Sequence, residues 1–153
     1  MNDINKVFKV NKPIIGALHL LPLPTSPRVI YTIDQIIDQA KRELEDLIEG
    51  GIDGILITNE GDAPYLFKVG FETVAFMTRI ITELTHQISV PFGVDVLWDP
   101  YATFAVAKAT GAKFARTLLV GSYSSDLGLI NTHAAKVLRY IKSIDAQNII
   151  RIV

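Results

Sequence analysis

Cysteine is absent from the 153 residues, so disulfides and thiolate metal sites are excluded outright. That absence fits a reducing compartment, and a cytoplasmic location is the expectation. Runs of like charge are also missing. Sixteen acidic and fifteen basic residues are scattered along the chain, for a formal net charge of -1. Such a balance gives no electrostatic footprint for nucleic acid or for an anionic membrane surface. No window approaches the run of about 18 apolar residues that a spanning helix needs. The polar start Met1-Asn2-Asp3-Ile4-Asn5-Lys6 lacks the apolar centre of a signal peptide. Direct membrane insertion is therefore not expected. What is present is a hydrophobic fraction of 49% against 20% charged, enough to bury the core of one ordinary domain.

The apolar residues change their spacing in a repeating cycle. Ile14-Ile15-Gly16-Ala17-Leu18-His19 is a short apolar run of the kind buried on both faces of a parallel sheet. Pro22, Pro24 and Pro27 follow, which forbids helix or central strand there and makes an ordered loop. From Ile33 the period becomes helical: Ile33, Ile36, Ile37, Ala40, Leu44, Leu47 and Ile48 share one face. Thr32 is placed to cap that helix and Gly50-Gly51 to stop it. The cycle then repeats with a strand at 54–58, a polar loop at 59–69 and a helix at 71–87. A strand at 92–97 precedes Asp99-Pro100, a cap followed by proline in the first turn. The helix it starts runs to Gly111. A fourth strand at 113–119, a loop at 120–131, a helix at 132–144 and a fifth strand from 148 complete the order.

Strands joined through helices must be parallel, with right-handed crossovers. Two architectures fit: an open doubly wound sheet of flavodoxin type, or a barrel. Strands recur at intervals of roughly thirty residues, so eight units would need about 250, a usual barrel length. No glycine-rich phosphate loop follows the first strand, and prolines stand where a nucleotide-cradling turn would have to be. The expected fold class is α/β, with the (β/α)8 TIM-barrel type the better fit and a flavodoxin-like five-stranded sheet the remaining alternative. Residues 1–153 would form the N-terminal part of one barrel domain, four βα units plus a fifth strand; the chain reads as a fragment of a longer protein, and only if it were complete would closure need a second copy or another subunit.

In either architecture chemistry belongs at the carboxyl ends of the strands. The polar residues falling there are His19, then Asn59, Glu60 and Asp62, then Asp95 and Asp99, then Arg116. His19 is the candidate general acid or base, since imidazole titrates near neutrality, although a histidine there could simply anchor the proline loop. Glu60 and Asp62 flank Gly61 in the most polar loop and could act as base or bind a hard cation, or form a solvated turn. Asp95 interrupts an apolar strand, where an unpaired carboxylate is costly. It must face the barrel mouth or meet a cation, and Arg116 on the next strand is the obvious partner. Asp99 reads as a helix cap. Ser122 and Asp126 lie in a hydroxyl-rich loop that could hold a phosphate or sugar. His86 and His133, at helix ends, are given no role. No pattern specifies a cofactor, and no metal site is assigned.

Several blocks together resemble the BtpA/SgcQ family. His19-Leu20-Leu21-Pro22-Leu23-Pro24-Thr25-Ser26-Pro27 is similar to the family's opening motif, with Thr25 where glycine is usual. Gly50-Gly51-Ile52-Asp53-Gly54 and Asn59-Glu60-Gly61-Asp62-Ala63-Pro64-Tyr65 resemble the second block. Glu72-Thr73-Val74-Ala75 with Met77-Thr78 resembles the third, Phe71 replacing a usual proline. Pro91-Phe92-Gly93-Val94-Asp95-Val96-Leu97-Trp98-Asp99 is similar to the SgcQ-like branch, where asparagine is commoner at Asp95. Ala109-Thr110-Gly111-Ala112-Lys113-Phe114 with Arg116, Ser125-Asp126-Leu127-Gly128-Leu129 and Leu138-Arg139-Tyr140 follow in order. Thr117-Leu118-Leu119-Val120 is more apolar than the family's stretch.

The resemblance implies a TIM-like barrel related to phosphate-binding barrels. It also implies a family described through membrane-complex and photosystem I biogenesis, whose SgcQ-like members sit among carbohydrate-metabolism proteins. The leading expectation is an enzyme for a small phosphorylated or sugar-like metabolite. In it His19, Glu60 and Asp95 are catalytic, and Asn59, Asp62, Arg116, Ser122 and Asp126 bind substrate. The alternatives are an assembly factor that works through protein–protein contact and an inactive truncated remnant.

Overall fold

A computed structural model describes residues 4–125 and 127–153. Five parallel strands form one sheet: β1 (Ile15–His19), β2 (Gly54–Thr58), β3 (Phe92–Asp95), β4 (Phe114–Arg116) and, after a hairpin of β5 (Ser122–Ser125) and β6 (Gly128–Asn131), β7 (Ile150–Ile152). The spatial order is β1-β2-β3-β4-β7. This order decides between the two candidate architectures. A doubly wound sheet reverses direction at a switch point, whereas here each strand of the sheet lies beside its predecessor, as in a barrel.

Four helices of ten or more residues connect the strands: α2 (Ile33–Glu49), α3 (Phe71–Leu84), α4 (Pro100–Thr110) and α5 (Ala134–Ser143), with a short α1 (Ile4–Val7) ahead of β1. Their ends follow from the sequence. Thr32 Oγ1 accepts from the Gln35 amide while the Gln35 side chain accepts from the Thr32 amide, a complete capping box. Asp99 accepts from the amides of Tyr101 and Ala102, with Pro100 in the first turn. Gly111, at φ 81°, closes α4 in the left-handed conformation that glycine adopts without steric cost. α2 turns Ile36, Ile37, Ala40 and Leu44 inward. Each fully buried large apolar side chain of this kind stabilises by about 1.5–3 kcal/mol.

Alternation along the strands produces two cores. Leu18, Ile55, Ile57, Val94 and Ala115 face the helices and join their apolar sides in the main cluster. Leu56 and Phe114 point to the other, barrel-interior face and pack with Phe8, which follows α1. The Phe8 and Phe114 rings lie 5.5 Å apart. Gly93 makes room for Phe114, whose ring would collide with a Cβ at that position. The amino end of the sheet interior is thus filled, so a ligand meets the interior face from the carboxyl ends.

Three expectations need correction. The first four-residue helix was not anticipated, being too short to nucleate alone and held by the burial of Phe8. β3 ends at Asp95 and β4 at Arg116, because the residues beyond them leave the sheet to form the loops of the carboxyl rim. The segment 120–131, expected as loop, contains the antiparallel pair β5–β6, with Ser125 opposite Gly128.

Candidate functional site

The parallel register sets four side chains side by side. His19 pairs with Thr58, and Thr58 with Asp95; Asp95 then meets Arg116, whose Nε donates to its Oδ2 at 2.7 Å. Because residues two apart share a face, this row lies on the interior side, two positions beyond Leu56 and Phe114. The ion pair expected from the sequence is therefore present. It is lopsided: the Asp95 side chain is 7% exposed and that of Arg116 42%.

Burial dominates the chemistry of Asp95. Desolvation pushes its carboxyl up to about 6, against the opposing charge and hydrogen bond of Arg116, and the negative charge of Glu60 adds to the rise. A carboxyl of this kind exchanges a proton near neutral pH, as a general acid or base must. Arg116 engages Asp95 only through Nε; among the described residues its terminal nitrogens have no acceptor. Guanidinium nitrogens in a fork are suited to a carboxylate or phosphate. Thr58 contributes a buried hydroxyl without a hydrogen-bond partner between His19 and Asp95.

The other candidates separate into distinct environments. The His19 side chain is exposed and makes no hydrogen bond among the described residues, while its main-chain N–H donates to Glu43 Oε1 at 3.3 Å. Glu60 is exposed and accepts from the Tyr65 hydroxyl at 3.2 Å. Asn59 and Asp62 are turned inward. Asn59 Nδ2 donates to Asp62 Oδ2 at 3.1 Å, Asn59 Oδ1 accepts from the Leu97 amide at 2.8 Å, and Asp62 Oδ1 accepts from the Leu23 amide at 2.7 Å. These bonds tie together the loops after β1, β2 and β3, so in this geometry both side chains hold the scaffold. Burial raises the Asp62 carboxyl, opposed by the bonds from Leu23 and Asn59. Gly61 fits against this junction because a Cβ there would lie 2.6 Å from the Leu20 carbonyl oxygen and the Pro22 nitrogen.

Glu60 and Asp62 do not converge on a cation, and among the described residues no three His, Asp or Glu side chains form a metal-binding group. Ser122 Oγ donates to Asn131 Oδ1 across the hairpin at 3.0 Å and is exposed. Asp126 lies outside the described residues. Asp99, read as a cap, also accepts from the Val69 amide at 2.9 Å, fixing the loop before α3.

A cavity of about 650 Å³ opens beside the row, bounded by the ends of β3 and β4, the start of α4 and the β5–β6 hairpin. Asp95 and Arg116 line it; His19 and Glu60 do not. Trp98, Tyr101 and His133 line it too, and none was singled out as a site residue. Trp98 could have been found from its place just beyond an apolar strand. His133 could not, because its position depends on the hairpin that folds the chain back over the rim.

No described helix is long and apolar enough to cross a membrane. The BtpA family profile matches residues 10–153. The sgc region protein SgcQ of Escherichia coli (strain K12) is 41% identical over 95% of this chain and 55% of its own length. The photosystem I biogenesis protein BtpA of a Synechocystis species is 37% identical over 94% of this chain and 51% of its own. The chain thus spans about half the length of these relatives. Among solved structures, dihydropteroate synthase of Xanthomonas albilineans superposes with a TM-score of 0.56 at 17% identity, over 86% of this chain and 41% of that one. That likeness concerns the barrel fold alone. With residues 10–153 matched and two curated relatives near 40% identity, the chain belongs to the BtpA family.

Proposed function

We propose that this chain supplies half the rim of a barrel enzyme that acts in the cytoplasm on a small phosphorylated or sugar-like metabolite. The observation that carries the reading is the Asp95–Arg116 pair: a buried carboxyl poised near pH 6 beside a guanidinium whose terminal nitrogens have no acceptor among the described residues. Arg116 binds the anionic group, Asp95 orients or deprotonates the substrate, and His19, on the same row, is the second acid–base group. Glu60 acts on Asp95 through its charge. Asn59 and Asp62 position the loops around the substrate, and Ser122 lies on the hairpin above. Further strands complete the barrel, and a second copy of the chain is one partner that light scattering at several concentrations would reveal.

Calorimetric titration with a panel of sugar phosphates tests this reading. Binding should weaken at least tenfold in Arg116→Gln, the loss expected for one charge-assisted contact of about 1.5–3 kcal/mol. His19→Ala should retain binding and abolish turnover. Unchanged affinity in the first variant, or normal turnover in the second, sinks the corresponding role.

A second reading is an assembly factor for a membrane complex, as the name of the Synechocystis relative suggests for that protein. Leu66, Phe67 and Phe71 favour it: they are 58%, 44% and 94% exposed within six residues of sequence, an arrangement that marks contact surfaces. Phe71→Glu would then abolish assembly and leave ligand binding intact.

A further inference from the structure

The cavity beside the ion pair is larger and more aromatic than an anion alone requires. Its volume of about 650 Å³ lies within the range of sites for whole organic ligands. Phe67, Trp98 and Tyr101 line it on one side and Leu129 of the hairpin on another. Phe67, Tyr101 and Leu129 are 44%, 39% and 64% exposed, so large apolar surface faces solvent around a half-open cleft. Arg116 and Lys68 line the same cavity.

Trp98 is the unusual member of this wall. Its φ of 67° places a bulky side chain in the left-handed region, where such residues are outliers. Its indole N–H is buried without an acceptor among the described residues. Strain of this kind concentrates at ligand clamps and active sites, and an unsatisfied buried donor calls for a specific explanation. Both fall on one residue, three positions beyond Asp95.

We propose that this chamber binds the ring of a ring-bearing phosphate, with the ring against Trp98 and Tyr101 and the phosphate on Arg116. Trp98 re-seats as the ring enters and gives its indole N–H an acceptor on the ligand. The assignment rests on the rim reading above and adds to it the shape of the ligand and the residues that select it. A sugar ring offers a C–H face and a heteroaromatic ring a π face, and both carry acceptor atoms, so the titration series distinguishes them.

Trp98 is the chain's single tryptophan, so its emission reports directly. The full chain is titrated with inorganic phosphate, ribose 5-phosphate and adenosine 5′-phosphate, by fluorescence and by calorimetry. At least one ring phosphate should bind more tightly than inorganic phosphate and shift Trp98 emission saturably; the one that binds better identifies the ring as saccharide or heteroaromatic. Leu129→Ala, on the exposed roof, and Tyr101→Ala should each remove about tenfold of the ring's advantage, leaving phosphate affinity alone. Phosphate binding that depends on Arg116 but gains nothing from a ring overturns the chamber and preserves the rim reading. Ring-dependent binding insensitive to Arg116→Gln overturns the placement of the phosphate and the anion role of Arg116, while the chamber keeps the ring. Absence of binding by all three overturns both.

Discussion

At the amino ends of the strands, Phe8, Leu56 and Phe114 fill the sheet interior with apolar atoms, whereas two positions further along the same face carries Thr58, Asp95 and Arg116. One end is packed by rings at van der Waals distance; the other holds a carboxyl whose burial raises it to about 6. The two layers share strands and alternation, so the difference comes from side chains alone. It teaches that the lower layer is built for stability, whereas the upper keeps a buried ion pair that stability alone does not call for, at a thermodynamic cost.

The largest effect should come from breaking the lower layer. Phe114 is fully buried, and Phe114→Ala should destabilise the chain by about 3–5 kcal/mol, measured by urea unfolding. A loss under about 1 kcal/mol would mean that the plug is not packed as described.

The upper layer should respond in the opposite sense. The Asp95 carboxyl rises from 3.8 to about 6 on folding, so the folded chain holds more protons than the unfolded one between those values. Its stabilising contribution is present below about pH 4 and is lost as pH rises through about 6, by up to about 3 kcal/mol. Asp95→Asn keeps an acceptor for Arg116 without the buried charge. It should therefore be more stable than the parent at pH 8, by about 2 kcal/mol, and no more stable at pH 4. A variant less stable than the parent at pH 8 would show that the ion pair stabilises the fold.

A smaller effect sharpens the contrast within the rim. Asn59→Ala leaves the Leu97 amide without its acceptor and Asp62 Oδ2 without its donor, the Leu23 amide still holding Oδ1, which should cost about 1–3 kcal/mol. Trp98 emission should move to the red as the loop after β3 loosens. A stable variant with unchanged emission would remove Asn59 from the scaffold.

The βα cycle, the caps at Thr32, Asp99 and Gly111, and the Asp95–Arg116 pair were all legible in the sequence, because each depends on local spacing or on a charge that an apolar strand cannot leave unpaired. The barrel was favoured by the interval between strands, by the prolines after β1 and by the family blocks, and the strand order settles it against the open sheet. The hairpin escaped because Ser122–Ser125 and Gly128–Asn131 are runs of four residues without clear alternation, and its turn glycine, Gly128 at φ 102°, is a weak signal alone. The chamber was invisible for a related reason. Leu129 of the hairpin is brought beside Trp98 and Tyr101, around one cavity, only by the tertiary fold. Asn59 and Asp62 were legible as polar rim residues, but only the bonds to Leu97 and Leu23 show which way they turn.

The neighbour-after-neighbour strand order also bears on how the chain acquires its shape. Ile15 pairs with Gly54, Ile55 with Phe92, Gly93 with Phe114 and Phe114 with Ile150, separations of no more than about forty residues. Each strand emerging from a ribosome finds its partner in the segment synthesised just before it, at rates of about 5–20 residues per second. Assembly can then proceed as a growing sheet rather than wait for distant segments to meet, each pairing closing a loop of no more than about forty residues.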